Sequence, residues 1–223
     1  DYGNIEVSSE SDLILKLKNL DLSQLGTPIF IGGDHAITYY TVDRIQKKRN
    51  SKPIIVFQFD AHSDYIDEFA DYPHGSVMCE TSRIDGVEKI IHFGLRGNLN
   101  CGPALLESKR RGNIIIPYKD IKMMFQKVLG ELKDKDIYIT FDTDFLNPMV
   151  APATDNPEPG GPTYEDTIDY LQGIIESCNN VVGMDVVEYN PTQEGSSVTA
   201  STLVNIIMES LGFLTRKNLN KKK

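Results

Sequence analysis

Cysteine is scarce: Cys79, Cys101 and Cys178 are the only three in 223 residues. They are widely spaced and odd in number, which excludes a disulfide framework and a zinc–cysteine pattern and favours a reducing, cytoplasmic compartment. Positive charge is also short. Lys and Arg total 23 against 32 Asp and Glu, and the net charge of −9 argues against general affinity for nucleic acid or anionic membranes. No apolar run approaches the roughly 18 residues of a membrane span, and the N-terminus lacks a basic-then-apolar leader pattern. Internal repeats and low-complexity linkers are missing too. What remains is the composition of an ordinary globular domain, and a small neutral or cationic ligand suits the charge balance better than a polyanion.

The chain has few histidines, and their positions are informative. Three of the four, His35, His62 and His74, fall in short motifs that follow apolar strands. Residues 53–59, Pro-Ile-Ile-Val-Phe-Gln-Phe, run into Asp60-Ala61-His62-Ser63-Asp64. Alternate residues of an extended chain share a face, so Asp60, His62 and Asp64 can converge if the strand geometry persists. Residues 137–141 end in the same way at Asp142-Thr143-Asp144, and residues 28–31 lead into Gly32-Gly33-Asp34-His35.

Hydrophobic periodicity predicts strands at 28–31, 54–59, 89–93, 113–116, 137–141 and 180–187. Helices are predicted at 11–20, 36–48, 105–111, 121–133, 164–177 and 197–214. Such alternation implies an α/β fold, a mostly parallel sheet with helices on both faces. In these sheets the ligand site lies at the carboxyl ends of the strands. Residues 1–214 read as a single domain and 215–223 as a frayed, basic, solvated tail. The long stretch 146–162 holds five prolines and directly follows Asp144, so it is expected to form a rigid wall of the site.

His35, Asp60, His62, Asp64, Asp142 and Asp144 form the candidate metal set. Four carboxylates and two imidazoles without thiolate favour Mn²⁺, Co²⁺ or Ni²⁺ over structural zinc. Four negative ligands would be strongly over-negative around one divalent ion and balance two. A close pair of ions lowers the pKa of water held between them. His74, in the loop beyond these ligands, is placed as a general acid or proton shuttle. Glu188, ending the apolar run 181–187, is the candidate partner of a cationic substrate group. His92 reads as a satisfied core histidine, and Asp34 and Asp185 as supporting or capping groups rather than ligands.

Together, Gly32-Gly33-Asp34-His35, Asp60-Ala61-His62-Ser63-Asp64, Phe141-Asp142-Thr143-Asp144, Pro157-Glu158-Pro159-Gly160-Gly161 and Asp185-Val186-Val187-Glu188-Tyr189-Asn190-Pro191 resemble the ureohydrolases, the arginase–agmatinase family. The resemblance is collinear over residues 1–214. It implies a three-layer α/β/α fold and two Mn²⁺ ions. His35, Asp60, Asp64 and Asp142 would hold one ion, and Asp60, His62, Asp142 and Asp144 the other. It further implies a homo-oligomer, trimeric or hexameric. The implied reaction is hydrolysis of a guanidino compound to urea and an amine. Hydroxide held between the ions attacks the guanidinium carbon, Glu188 holds the cation, and a proton reaches the leaving amine through His74.

His74 stands ten residues after Asp64, a spacing that resembles agmatinases more than arginases. Asp67, Glu68 and Asp71 within that segment would repel a substrate carboxylate, so agmatine is the expected substrate. Arginase, guanidinobutyrase or formiminoglutamase activity, a binuclear phosphoesterase and an inactive metal-binding pseudoenzyme are the alternatives. The family's substrate loop usually reads Pro-Ala/Gly-Thr-Gly-Thr-Pro; here Asp155 replaces a glycine and Asn156, placed as a substrate-binding residue, a threonine. The family's usual first strand and helix have no counterpart ahead of Asp1, and the sequence reads as part of a longer chain.

Overall fold

The computed structural model describes residues 2–22, 26–66 and 73–221, without the side chains of Pro73 and His74. Its frame is a six-stranded sheet of β1 (Ile29–Ile31), β2 (Ile54–Phe59), β3 (Val87–Leu95), β4 (Ile114–Pro117), β5 (Asp136–Asp142) and β6 (Asn180–Val187). The spatial order is β1-β6-β5-β2-β3-β4, and each neighbouring pair is parallel. All six predicted strands are present, and the sheet is wholly parallel rather than mostly so.

Burial on both faces explains the near-continuous apolar runs of the central strands. Ile55, Phe57 and Phe59 of β2 alternate with Ile54 and Val56 into two separate cores. The first core is closed by α5 (Ile121–Leu132), α6 (Tyr164–Ser177) and α7 (Val198–Asn220). The second is closed by α2 (Ile37–Arg49), α3 (Pro73–Thr81) and α4 (Gly102–Arg110), with α1 (Glu10–Asn19) lying outside α2. Three layers result, as expected.

The strand order also fixes where a ligand can sit. From β2 the chain proceeds outward to β3 and β4, and from β5 it proceeds the other way to β6. The crevice between neighbouring β2 and β5 is therefore the point where the connections diverge, the place where open parallel sheets bind ligands. Phe59 pairs with Phe141 and Asp142 with Val187, which aligns the strand ends carrying Asp60, Asp142 and Glu188.

Two expectations change. Residues 73–81 form a helix, not a loop, so His74 lies in the first turn of α3. Pro73 suits a helix start, while Gly75 and Ser76 and the adjacency of Val77 and Met78 leave no apolar periodicity to read. The described part of the basic tail is also helical rather than frayed: α7 continues through Asn220. Lys217 Nζ donates to the carbonyls of Glu176 and Cys178, and Lys221 Nζ to that of Asn179, at the end of α6 and the turn after it. Among the described residues α7 is the one helix long and apolar enough by composition to cross a membrane. Leu203, Ile206, Phe213 and Leu214 on it are buried in the first core, a pattern that core helices share.

Candidate metal centre

Asp60 and Asp142 stand at adjacent strand ends, and both are almost fully buried. Extended geometry does not persist past Phe59. Asp60 Oδ1 accepts the backbone N–H of His62 at 2.5 Å, which folds the chain into a turn, and Asp64 adopts a left-handed φ of 47°. That conformation is tolerated by aspartate, and with it the Asp64 carboxylate comes to the His35 ring. The three residues converge through a turn rather than along a strand.

Two overlapping clusters result. His35 Nδ1 lies 3.3 Å from Asp60 Oδ2, 3.0 Å from Asp64 Oδ2 and 3.1 Å from Asp142 Oδ2. His62 Nδ1 lies 2.7 Å from Asp144 Oδ2 and 3.8 Å from Asp60 Oδ1. The donor atoms of His35, Asp60, Asp64 and Asp142 lie within 4.8 Å of one another, as do those of Asp60, His62 and Asp144. All six predicted ligands thus come together, with Asp60 common to both groups.

Electrostatics show what such a cluster needs. Burial, then the charges of Asp144 and its neighbours, pushes the Asp60 carboxyl well above its usual range, and Asp142 is raised for the same reasons. Burial opposes protonation of His35, but Asp142 and Asp64 outweigh it and raise the imidazole well above its ordinary value. His62 is lifted to about 9 by Asp144, again against burial. Buried like charges at this density call for cations. The convergent carboxylates and imidazoles fit hard or borderline divalent ions, and the two buried thiols, Cys79 and Cys178, belong to neither cluster.

Further polar groups fix the ligands from behind. His35 Nε2 bonds Thr140 Oγ1 at 2.9 Å, leaving Nδ1 for the cluster. Thr38 links Thr140 to buried Asp185, which also accepts from Tyr138. Gln58 Nε2 donates to Asp60 Oδ2 at 2.6 Å, so its Oε1 must accept from His92 Nδ1. His92 Nε2 then accepts from Ser108, and burial holds this imidazole neutral, at about 3. The predicted core histidine is thereby a link in the chain that orients Asp60, a role that an isolated histidine in an apolar strand does not reveal. Asp34 caps Ala36 and Asp185 supports the His35 network, as expected.

Glu188 sits just past β6 with φ 61° and accepts the His35 backbone N–H through Oε1 at 2.6 Å; burial raises its carboxyl. It borders a cavity of about 260 Å³ lined also by His62, Asp64, Asp142, Asp144, Thr154, Asp155 and Asn156. Within the stretch 146–162, residues 154–156 form part of the wall of the site. What holds it was missed: Arg96 donates to the carbonyls of Asp144, Phe145, Leu146, Glu158 and Pro159. Nothing in the sequence marks a surface-class residue as a clamp except its place in Gly94-Leu95-Arg96-Gly97. The His74 side chain and the acidic segment 67–71 lie outside the described residues.

The model of the Arginase family matches residues 1–212. The chain belongs to the arginase family. It is 29% identical over 216 residues to the agmatinase of Bacillus subtilis, a match covering 96% of this chain and 72% of that protein. It is 30% identical over 200 residues to the human mitochondrial guanidino acid hydrolase, covering 85% of this chain and 55% of the relative. Against the agmatine ureohydrolase of Thermoplasma volcanium the TM-score is 0.81 at 24% identity, covering 100% of this chain and 74% of that one, which establishes the shared fold. Membership matches the resemblance carried by the five motifs.

Proposed function

We propose that this arginase-family member hydrolyses a guanidino compound to urea and an amine, with agmatine as substrate and two Mn²⁺ ions as cofactor. The observation that carries the reading is the convergence of six imidazole and carboxylate donors from three strand ends beside a cavity bordered by Glu188. His35, Asp60, Asp64 and Asp142 would hold one ion, and Asp60, His62, Asp142 and Asp144 the other. When bound, the pair supplies a nucleophilic water near neutral pH.

The protein's own residues do the rest. A guanidinium stays charged near neutrality, and Glu188 is the carboxylate placed to receive it. Its Oε1 is engaged by the His35 N–H, which leaves its second oxygen for the substrate. A C–O bond forms at the guanidinium carbon, the bond to the chain nitrogen breaks, and that nitrogen leaves as an amine once protonated. His74, at the start of α3, is assigned the proton transfer. Asn156 borders the route for the substrate's hydrocarbon chain, and Asp155, which accepts from Asn190 at 2.5 Å, adds a negative charge to the cavity wall. That charge favours a second ammonium over a carboxylate at the far end of the substrate.

Urea release from agmatine, arginine, 4-guanidinobutyrate and guanidine, measured with Mn²⁺-loaded protein, tests this directly. Agmatine should give the highest kcat/KM. A higher value for arginine or guanidinobutyrate would overturn the substrate assignment, and urea from none of the four would overturn the activity. His74→Ala should retain both ions and lose rate by about 10²–10⁴-fold, the usual worth of a positioned acid or base; loss of metal would show that His74 has been misassigned.

A further inference from the structure

His62 has one ring nitrogen in the metal cluster and one behind it. Nδ1 faces Asp144 and Asp60, whereas Nε2 is buried without a hydrogen-bond partner. Glu158 Oε1 stands 3.5 Å from that nitrogen, and the Glu158 side chain is only 13% exposed. Glu158 is not among the residues that border the cavity beside Glu188. Its position is tightly set. Arg96 Nη2 donates to its backbone carbonyl at 3.3 Å, and a Cβ at Gly97 would stand 2.0 Å from the Glu158 carboxyl carbon. Gly97 has φ 72°, so the turn needs glycine both for backbone freedom and for the room that the carboxylate takes.

We propose that Glu158 is a positioning residue: it accepts the Nε2–H of His62 and thereby presents Nδ1 to the ion shared with Asp60 and Asp144. Histidine ligands generally donate their second ring N–H to a carboxylate, carbonyl or water, and losing that partner typically costs about 10–100-fold in metal affinity. Here the imidazole has two competing nitrogens and a rotatable ring. A carboxylate behind Nε2 selects the tautomer with Nδ1 free and stops the ring from turning. The role rests on the two-ion reading above.

The test compares Glu158→Gln, which keeps both volume and an oxygen acceptor, with Glu158→Leu, which keeps similar volume and no acceptor. Mn²⁺ binding is followed by the EPR signal of free ion, and the imidazole nitrogens by ¹⁵N NMR of the Zn²⁺-loaded protein, where only four histidines contribute. Wild type should bind two Mn²⁺ per chain. Glu158→Leu should weaken one of the two sites about 10–100-fold and leave the other unchanged, while Glu158→Gln stays within a few-fold of wild type. His62 should show a protonated Nε2 and a metal-bound Nδ1 in wild type and Glu158→Gln. Equal affinity of both sites in wild type and Glu158→Leu, or a metal-bound Nε2 in wild type, overturns the role of Glu158 alone. Fewer than two ions in wild type overturns the two-ion reading itself, and the role with it.

Discussion

Asp142 Oδ2 lies 3.1 Å from His35 Nδ1, and its Oδ1 accepts the backbone N–H of Asp144 at 2.8 Å. One side chain thus shapes both clusters. Asp142→Ala should lower bound manganese, measured by elemental analysis, and abolish urea release, whereas a variant retaining two ions would contradict its placement. Protonation gives a second residue-scale expectation. His62 has a native pKa of about 9 against an ordinary 6.5, so its contribution to the metal-free fold is complete below about 6.5 and is lost as pH rises through about 9. The upward shifts of Asp60 and Asp142 act in the same direction. Asp144 is held below its usual range by His62, against burial, and matters only in acid. The melting temperature of metal-stripped protein should therefore fall between pH 6.5 and 9, while Mn²⁺ affinity rises over that window because the ion displaces the His62 proton. A flat melting profile would contradict the assignment. The six candidate ligands were legible because each follows an apolar run. Gln58, Thr140 and Arg96 were not, because a residue acting through another leaves no periodic mark.

At the scale of elements, the site depends on segments that are neither helix nor strand. The stretch 146–162 keeps its shape through the Arg96 guanidinium, which spans carbonyls on both sides of it. Arg96→Ala would leave several partly buried carbonyls without donors, each costing roughly 1–3 kcal/mol. The expected outcome is a loss of about 2–4 kcal/mol in urea denaturation, together with faster proteolysis within the loop; an unchanged midpoint would show that the loop holds itself. Strands were the most legible elements, since burial on both faces gives continuous apolar runs. Helix α3 was hidden because Gly75 and Ser76 interrupt its pattern and its apolar residues, Val77 and Met78, are adjacent rather than spaced by a turn. The turn that brings in Asp64 was hidden as well. Strand alternation predicts the same convergence by a different path, and only the left-handed φ distinguishes them.

At the scale of the molecule, strand order accounts for the position of the site, and net charge bears on the substrate proposed for it. Connections diverge between β2 and β5, and Asp60 and Asp142 stand on either side of that crevice. Alternating strands and helices made the layered α/β class legible, but the order β1-β6-β5-β2-β3-β4 arises from long-range pairing that no local pattern encodes. The net charge of −9 and a cavity bordered by Asp34, Asp155 and Glu188 should draw in dications. Raising ionic strength from about 0.01 to 0.5 M shortens the screening length from roughly 30 Å to under 8 Å. It should lower kcat/KM for agmatine and change that for a guanidino acid little; the same slope for both would remove charge from the account of specificity. The proposed hydrolysis requires two ions at this sheet edge. Anomalous diffraction at the manganese edge from Mn²⁺-soaked crystals should show two peaks. One should lie among His35, Asp60, Asp64 and Asp142, and the other among Asp60, His62, Asp142 and Asp144. A single peak, or none at these side chains, would contradict it.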